Sequence, residues 1–230
     1  METLDTIAAR FDARAPRYDD SVLHVALADA AARFAARERA LGGQRGDDDA
    51  RGLGRVLDVA TGTGLVLRAL AALGLLPGAT SSGGTPQPAG PSPAAGLDAS
   101  AGMLAVARTH LPGVAWTQGD AQALPFSDGA FDLVTCVTGL HLMSDPVAAL
   151  TEWRRVLVPD GRVVLATFAT DASGDALRDP GDPHARVGSP ALLAALADRA
   201  GLRVSRSERW EHRPDAGPVR DACLLTELVA

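Results

Sequence analysis

A short apolar run followed at once by a glycine-rich turn is the feature that most constrains the fold of this chain. Residues 55–60, Arg-Val-Leu-Asp-Val-Ala, are typical of a buried strand, and the turn TGTG at 61–64 leads directly into an apolar helix. Glycine in such a turn lets the backbone approach a ligand, and the free N–H groups at the start of a helix attract negative charge. The unit therefore predicts a ligand site at the end of a strand in an α/β sheet.

The rest of the chain alternates between apolar runs and amphipathic helices. Helices are predicted over about 20–41, from Ser100, from Ser144 and Pro146, and from Ser189 to Gly201. Further strands are predicted at 94–98, 114–116, 131–137, 162–168, 202–210 and 222–229. This alternation predicts an α/β, Rossmann-like, seven-stranded, mostly parallel sheet with helices on both faces. No helix separates the last two strands, so the last strand is predicted to be antiparallel, in a hairpin at one edge.

Two segments depart from the alternation. Residues 1–45 form an N-terminal helical segment that we expect to act as a lid. Residues 77–95 are rich in Gly, Pro, Ser and Thr, which cannot build a core, so a flexible surface insertion is predicted there. The whole chain, residues 1–230, is predicted to be one domain.

Composition and charge exclude several classes of protein. With 230 residues, 47% of them hydrophobic, the chain can bury one sizeable core, and its net charge of -6 gives no electrostatic support for nucleic-acid binding. The longest nearly apolar stretch, residues 69–79, is far shorter than the roughly 18 residues that a membrane span needs, and no secretory signal is visible. Cys136 and Cys223 suggest neither a disulfide framework nor a metal site. We therefore expect a cytoplasmic protein with no nucleic-acid, membrane or metal partner.

The sequence of the glycine turn argues against two common kinds of phosphate-binding site. The dinucleotide fingerprint G-x-G-x-x-G would need a third glycine where Leu67 stands, and a P-loop needs a lysine, which this sequence does not contain. An acid at the end of the second strand, here Asp98, can accept both hydroxyls of a ribose. Asp58 would suit a ligand amino group, or it is a turn or helix-cap aspartate. These residues favour a nucleoside-like ligand without a pyrophosphate.

Four segments in order resemble the motifs of class I S-adenosylmethionine (SAM)-dependent methyltransferases. They are VLDVATGTG (56–64), GLDASAGMLAVAR (96–108), VAWTQGDAQALPFSDGAFDLV (114–134) and RVLVPDGRVVLATF (155–168). The subgroup that these segments resemble is that of ubiquinone- and menaquinone-type methyltransferases and their small-molecule relatives. The resemblance implies SAM as cofactor and a small-molecule methyl acceptor. It covers residues 53–168 well and the two ends of the chain loosely.

The resemblance also implies which residues contact the cofactor. Asp98 would hold the ribose hydroxyls, and Asp120 would accept from the adenine amino group. Tyr18, which resembles the tyrosine of an N-terminal Tyr-Asp pair, would touch the cofactor or close over it. The full implied set is Tyr18, Asp58, Ala60, Gly62, Gly64, Asp98, Ala99, Met103, Asp120, Ala121, Cys136 and Val137.

His141 is the predicted catalytic base, because it follows the fourth strand on the side where the cofactor would sit. The alternative is a packing histidine at a helix start. His24 and His184 are further histidines near the expected acceptor regions, for which surface or packing roles are the simpler interpretation. Acceptor selection is expected from residues 1–41 and 169–189, and a second subunit that completes an open pocket, as in a homodimer, is a hypothesis. Two other functions stay open, namely a SAM-binding enzyme that does not methylate (rearrangement or decarboxylation) and a nicotinamide-dependent oxidoreductase.

Overall fold

The structure is a computed structural model that describes residues 2–37, 53–76, 93–169, 186–213 and 221–230. Its helices are α1 (Leu4–Arg14), α2 (Val22–Arg37), α3 (Leu65–Ala72), α4 (Ala101–His110), α5 (Pro146–Val156) and α6 (Pro190–Arg199). Short 3-10 helices cover Ala15–Asp20 and Leu140–Leu142. The strands are β1 (Val56–Val59), β2 (Ala94–Asp98), β3 (Ala115–Gln118), β4 (Phe131–Val137), β5 (Leu157–Phe168), β6 (Arg203–His212) and β7 (Asp221–Val229).

All seven strands form one sheet in the order β3-β2-β1-β4-β5-β7-β6. Strands β1 to β5 are mutually parallel, and β7 runs antiparallel to both of its neighbours, β5 and β6. The predicted fold class and the antiparallel last strand are confirmed. The last two strands do pair, although β7 lies inside the sheet and β6 forms the edge.

Some predicted boundaries were wrong for local reasons. Strand β5 begins at Leu157 rather than at residue 162, because the turn residues 159–161 form a bulge opposite β4. Helix α5 is capped by Asp145, whose carboxylate accepts from the N–H groups of Val147 and Ala148, rather than by Ser144. Strand β2 starts at Ala94, so the last two residues of the segment 77–95 are strand. The predicted insertion up to residue 92 and His184 lie outside the described residues.

Helices cover both faces of the sheet. Helices α2 and α3 bury Leu27, Phe34 and Leu67 against one face, while α5 and α6 bury Trp153 and Leu193 against the other. The fully buried Trp153 indole donates to the carbonyl of Ala121 at 3.0 Å, which fixes the segment after β3 against α5. Within the described ranges, no helix has the length and apolarity that crossing a membrane would need.

The N-terminal segment lies across the carboxyl ends of β1 and β2 and is held there by polar contacts. Helix α1 has no buried residue. The Asp12 carboxylate accepts from the Ser100 hydroxyl at 2.5 Å and from the Gly102 N–H at 2.8 Å. The Asp19 carboxylate accepts from the Thr63 hydroxyl and pairs with Arg68. These two anchors place the segment as a roof over the strand ends.

Candidate functional site

A cavity of about 300 Å³ lies between the carboxyl ends of the central strands and the N-terminal roof. In open parallel sheets, ligands bind at these strand ends, where the strand order reverses on either side of β1. Nine of the residues predicted from the sequence line it: Tyr18, Ala60, Gly62, Asp98, Ala99, Met103, Ala121, Val137 and His141. Asp58 lines a smaller adjoining cavity of about 30 Å³. The structure therefore brings together residues that are up to 123 positions apart in sequence.

Three predicted site residues lie outside the cavity wall. A methyl group on Gly64 would come within 2.9 Å of the Trp116 ring, so this glycine faces a packed side chain. Asp120 accepts from the backbone N–H and the side-chain amide of Gln122, at 2.9 and 3.3 Å. The Cys136 thiol is fully buried, and burial raises its pKa far above its ordinary value, so it remains a protonated thiol.

Asp98, at the end of β2, is the acid on the cavity wall. Its two carboxylate oxygens accept from the N–H groups of Gly62 and Ser100, both at 2.8 Å. Burial raises the pKa of this carboxyl, and the two hydrogen bonds oppose the rise. An ionised carboxylate offers about four lone-pair sites. Two of these are used by the backbone, and the remaining capacity suits a pair of ligand hydroxyls.

The backbone is strained where β1 and β4 end at the cavity. Ala60 and Thr138 both have a φ of 53°, a left-handed conformation that costs a non-glycine residue about 1–3 kcal/mol. Between them, Gly139 approaches so closely that an added methyl group would meet the Ala60 Cβ at 2.7 Å. Strain of this kind concentrates at ligand-binding sites. Here the left-handed residues turn the backbone sharply just after β1 and β4, at the carboxyl ends of these strands.

Asp58 is fully buried behind the glycine turn. Its oxygens accept from the hydroxyls of Thr61 and Thr135, both at 2.6 Å. Burial raises its pKa to about 7, against the opposing effect of these hydrogen bonds. Asp58 therefore fixes the start of the turn and titrates near neutral pH.

Replacing Asp58 by Asn is expected to flatten the pH dependence of stability in the acidic range. The folded carboxyl keeps its proton up to a pKa of about 7, while the unfolded one has an ordinary value of 3.8. The unfolded chain thus loses its proton first, so this group makes the free energy of unfolding fall as pH rises from about 4 to about 7. Asn carries no such proton. Thermal unfolding at several pH values in this range measures how the free energy of unfolding changes with pH. The control is Asp128→Asn, because the Asp128 side chain is 81% exposed. Equal slopes for Asp58→Asn and the wild type would contradict the raised pKa of Asp58.

Three side chains stack at one end of the cavity. The rings of Tyr18 and His24 stack at 4.5 Å between centroids, and the Arg14 guanidinium lies 5.8 Å from the centre of the Tyr18 ring. Burial raises the pKa of Tyr18, and the charge of Arg14 and a hydrogen bond with Thr138 oppose the rise. Burial, followed by the charge of Arg14, lowers the pKa of His24. His24, for which a surface or packing role seemed the simpler interpretation, lines the cavity.

His141 lies in the 3-10 helix after β4, at 9% exposure, and lines the cavity beside Leu142 and Met143. This position matches the one expected for a base near the acceptor. The assignment of His141 as a base stays a prediction.

Sequence reasoning missed the residues that α1 contributes to the cavity. Leu4, Ile7, Phe11 and Arg14 all line it. Their spacing of three, four and three residues places them on one face of a helix, so helical periodicity could have grouped them. However, α1 is short and has no buried residue, so it does not resemble an ordinary core helix. This explains why its apolar face was not singled out from the sequence.

Comparison with known proteins identifies the central part of the chain. Residues 57–165 match a family model described as "Methyltransferase domain". These residues are therefore similar to methyltransferase domains. The resemblance predicted from the four sequence segments is confirmed, and it covers the glycine turn, Asp98 and His141.

Named relatives match most of this chain over part of their own length. A demethylmenaquinone methyltransferase of Renibacterium salmoninarum is 36% identical over 172 residues, which are 74% of this chain and 62% of that protein. The chain spans about three-fifths of the length of the curated relatives that it matches.

Two solved structures share the fold at low sequence identity. A chain of the complex between the Haloferax volcanii Trm112 methyltransferase activator and a methyltransferase matches with a TM-score of 0.62 and 21% identity, over 96% of this chain and 97% of that one. The [4+2]-cyclase SpnF matches with a TM-score of 0.60 and 21% identity, over 87% and 80%. At this identity, both show the fold alone.

Proposed function

We propose that this protein transfers a methyl group from SAM to a small-molecule acceptor. The observation that carries the proposal is the cavity at the strand ends, where the Asp98 carboxylate and the Gly62 backbone meet within a methyltransferase-family domain. The residues fit a nucleoside, because Asp98 keeps acceptor capacity for two hydroxyls and Met103, Ala99 and Ala121 provide apolar wall for a base.

Each wall residue has a proposed task. Asp98 binds the ribose hydroxyls, Ala60 and Gly62 bound the methionine part, and Val137 lies towards the sulfonium. Tyr18 covers the cofactor from the roof. Gly64, Asp120 and Cys136 lie outside the wall, so we propose that they shape the site from behind, and Asp58 fixes the turn through Thr61 and Thr135.

The chemistry requires alignment and exclusion of water more than an elaborate catalytic group. Bound SAM supplies a methyl group already activated by its sulfonium. The protein must hold the acceptor in line with that methyl group and keep water out, which the roof residues Phe11 and Tyr18 would do. His141 is the proposed base, taking a proton from the acceptor where the attacking atom carries one. The names of the curated relatives make a quinone-type acceptor the first one to test.

Replacing Asp98 by Ala is expected to weaken SAM binding by roughly tenfold or more, the loss for removing a charged hydrogen-bond acceptor. Isothermal titration calorimetry with SAM measures it. The control is Asp132→Ala, because Asp132 also accepts from a backbone N–H at 2.8 Å, that of Arg55, but at the opposite end of the sheet. Unchanged SAM affinity in Asp98→Ala, with the fold intact by circular dichroism, would mean that the cofactor lies elsewhere.

A second function keeps the same fold and cofactor without methyl transfer. The fold alone permits it, because a protein named as a [4+2]-cyclase shares this fold. Incubating the protein with SAM and a cell extract, or with a demethylmenaquinol analogue, separates the two, because methyl transfer releases S-adenosylhomocysteine. Tight SAM binding with no S-adenosylhomocysteine from any acceptor would favour the second function. A homodimer that completes the pocket is a further proposal, which light scattering on the purified protein tests.

A further inference from the structure

Arg14, the last residue of α1, stands out among the residues that line the cavity. Of the described lining residues, it is the one with a permanent positive charge. Its guanidinium lies 5.4 Å from the centre of the Phe11 ring and 5.8 Å from that of Tyr18. These rings hold the charged group in the cavity wall without neutralising it.

The neighbouring arginines of the same segment are paired, and Arg14 is not. Arg10 pairs with Glu2 at 3.1 Å, and Arg17 pairs with Asp20 at 3.3 Å. Within the described ranges, Arg14 makes no ion pair or hydrogen bond, and its contacts are with aromatic rings.

The acids nearest to Arg14 in sequence are engaged elsewhere. The Asp12 carboxylate accepts hydrogen bonds from the Ser100 hydroxyl and the Gly102 N–H. These two bonds lower the pKa of Asp12, and the bond from Ser100 is the main cause. Asp19 is held by Thr63 and Arg68. The roof is therefore anchored by its acids, while this one arginine is left facing the cavity.

No neighbour in the stack offers a compensating negative charge. Burial raises the pKa of Tyr18, which keeps its hydroxyl protonated, and burial together with Arg14 lowers the pKa of His24, which keeps that ring neutral. Five further lining residues are apolar, namely Leu4, Ile7, Leu142, Met143 and Phe168. An arginine in such surroundings suits a carboxylate or another anionic oxygen group, which its planar guanidinium can bind with two parallel hydrogen bonds.

We infer that Arg14 binds an anionic oxygen group of a molecule held in this cavity. The inference rests on the proposed function, which offers two sources for that group: the methionine carboxylate of SAM, or an acidic group on an apolar acceptor. In either case Arg14 determines which ligand is held, because it is the described lining residue with a permanent positive charge.

Arg14→Gln tests the inference, with Arg17→Gln as the matched control. Arg17 lies three residues away, its side chain is 88% exposed, and it does not line the cavity. Two pairs of probes separate the sources. SAM is compared with decarboxylated SAM, which lacks the carboxylate, and 2-naphthoate is compared with 2-naphthamide on protein saturated with S-adenosylhomocysteine. Calorimetry at constant ionic strength gives the affinities.

Arg14→Gln is expected to weaken the binding of at least one carboxylate-bearing probe, SAM or 2-naphthoate, by roughly tenfold or more, the range for a lost charged hydrogen bond. Its partner without the carboxylate should bind as before, and Arg17→Gln should change neither. A loss with SAM assigns the cofactor carboxylate, and a loss with 2-naphthoate assigns the acceptor. Equal affinities in Arg14→Gln and the wild type for both carboxylate-bearing probes, or equal losses for both members of a pair, would overturn the inference.

The proposed function and this inference fail in distinguishable ways. If the wild-type protein does not bind SAM, the proposed function is wrong and the inference falls with it. If the wild type binds SAM and Arg14→Gln behaves like the control with every probe, the inference alone is wrong.

Discussion

Replacing Glu227 by Gln is expected to lower the free energy of unfolding by about 3–5 kcal/mol, the cost of breaking a buried ion pair from one side. Glu227 lies in β7 and is fully buried. Its carboxylate accepts from Arg162 at 2.7 Å, from Arg206 at 3.1 Å and from the Ser205 hydroxyl at 2.6 Å. Removing the negative charge leaves two arginines, with side chains 15% and 28% exposed, facing each other.

The cluster around Glu227 also ties the sheet to α2. Arg162 donates to the carbonyl of Ala35 at 2.8 Å, and Arg206 donates to that of Phe34 at 2.7 Å. The Arg206 guanidinium additionally lies 4.0 Å from the centre of the Phe34 ring. One carboxylate thus holds β5, β6 and α2 together, and its loss affects more than one pair.

Urea unfolding followed by circular dichroism measures the effect, and Glu208→Gln is the matched control. Glu208 in β6 also pairs with an arginine of α2, Arg37, at 2.5 Å, but the two side chains are 39% and 54% exposed. Exposed pairs contribute about 0–1 kcal/mol because water screens them. If Glu227→Gln and Glu208→Gln lower the free energy of unfolding by similar amounts, burial does not determine how much this cluster stabilises the protein.

The strands could be predicted from the sequence where burial makes them apolar throughout. Both faces of a parallel sheet are covered, so β1 and β4 appear as mostly apolar runs, and their predicted positions agree with the structure. The start of β5 could not be predicted in this way, because Pro159 and Gly161 suggest a turn where the chain forms a bulge within the strand. The edge strand β6 alternates between exposed and half-buried residues, and its predicted position, 202–210, agrees with the structure to within two residues.

The site was predictable where a motif is local and not where it depends on distant residues. Asp98 ends β2 and Gly62 lies three residues after β1, so their presence on one wall follows from the parallel pairing of these strands. The roof depends on Asp12 reaching Ser100 and Gly102, contacts that span about ninety positions and leave no periodic pattern. For the same reason, nothing in the sequence revealed that Glu227 would be buried between two arginines.

Gly64 shows the limit of interpreting a motif residue from its motif alone. The sequence indicated a glycine that lets the backbone approach a cofactor. In the structure, Gly64 has a φ of 79°, and an added methyl group would lie 2.9 Å from the Trp116 ring and 3.4 Å from the Ala107 Cβ. Two constraints of the fold itself, a left-handed turn and the packing of an indole, therefore require glycine here.

Replacing Gly64 by Ala is expected to lower the free energy of unfolding by about 2–5 kcal/mol. Roughly 1–2 kcal/mol comes from the left-handed backbone and about 1–3 kcal/mol from overpacking against Trp116. Gly74→Ala is the matched control, because Gly74 has a φ of 70° and nothing within 4 Å of the added methyl group, so it carries the backbone cost alone. Urea unfolding of both variants measures the difference.

The difference between the two variants isolates the contact with Trp116, and SAM affinity separates the two interpretations of Gly64. If the glycine serves the packing of Trp116, Gly64→Ala should be less stable than Gly74→Ala by about 1–3 kcal/mol. Its folded fraction should then bind SAM nearly as the wild type does. If Gly64→Ala instead matches Gly74→Ala in stability and loses SAM affinity, the packing interpretation is wrong, and this glycine is present because the cofactor lies against it.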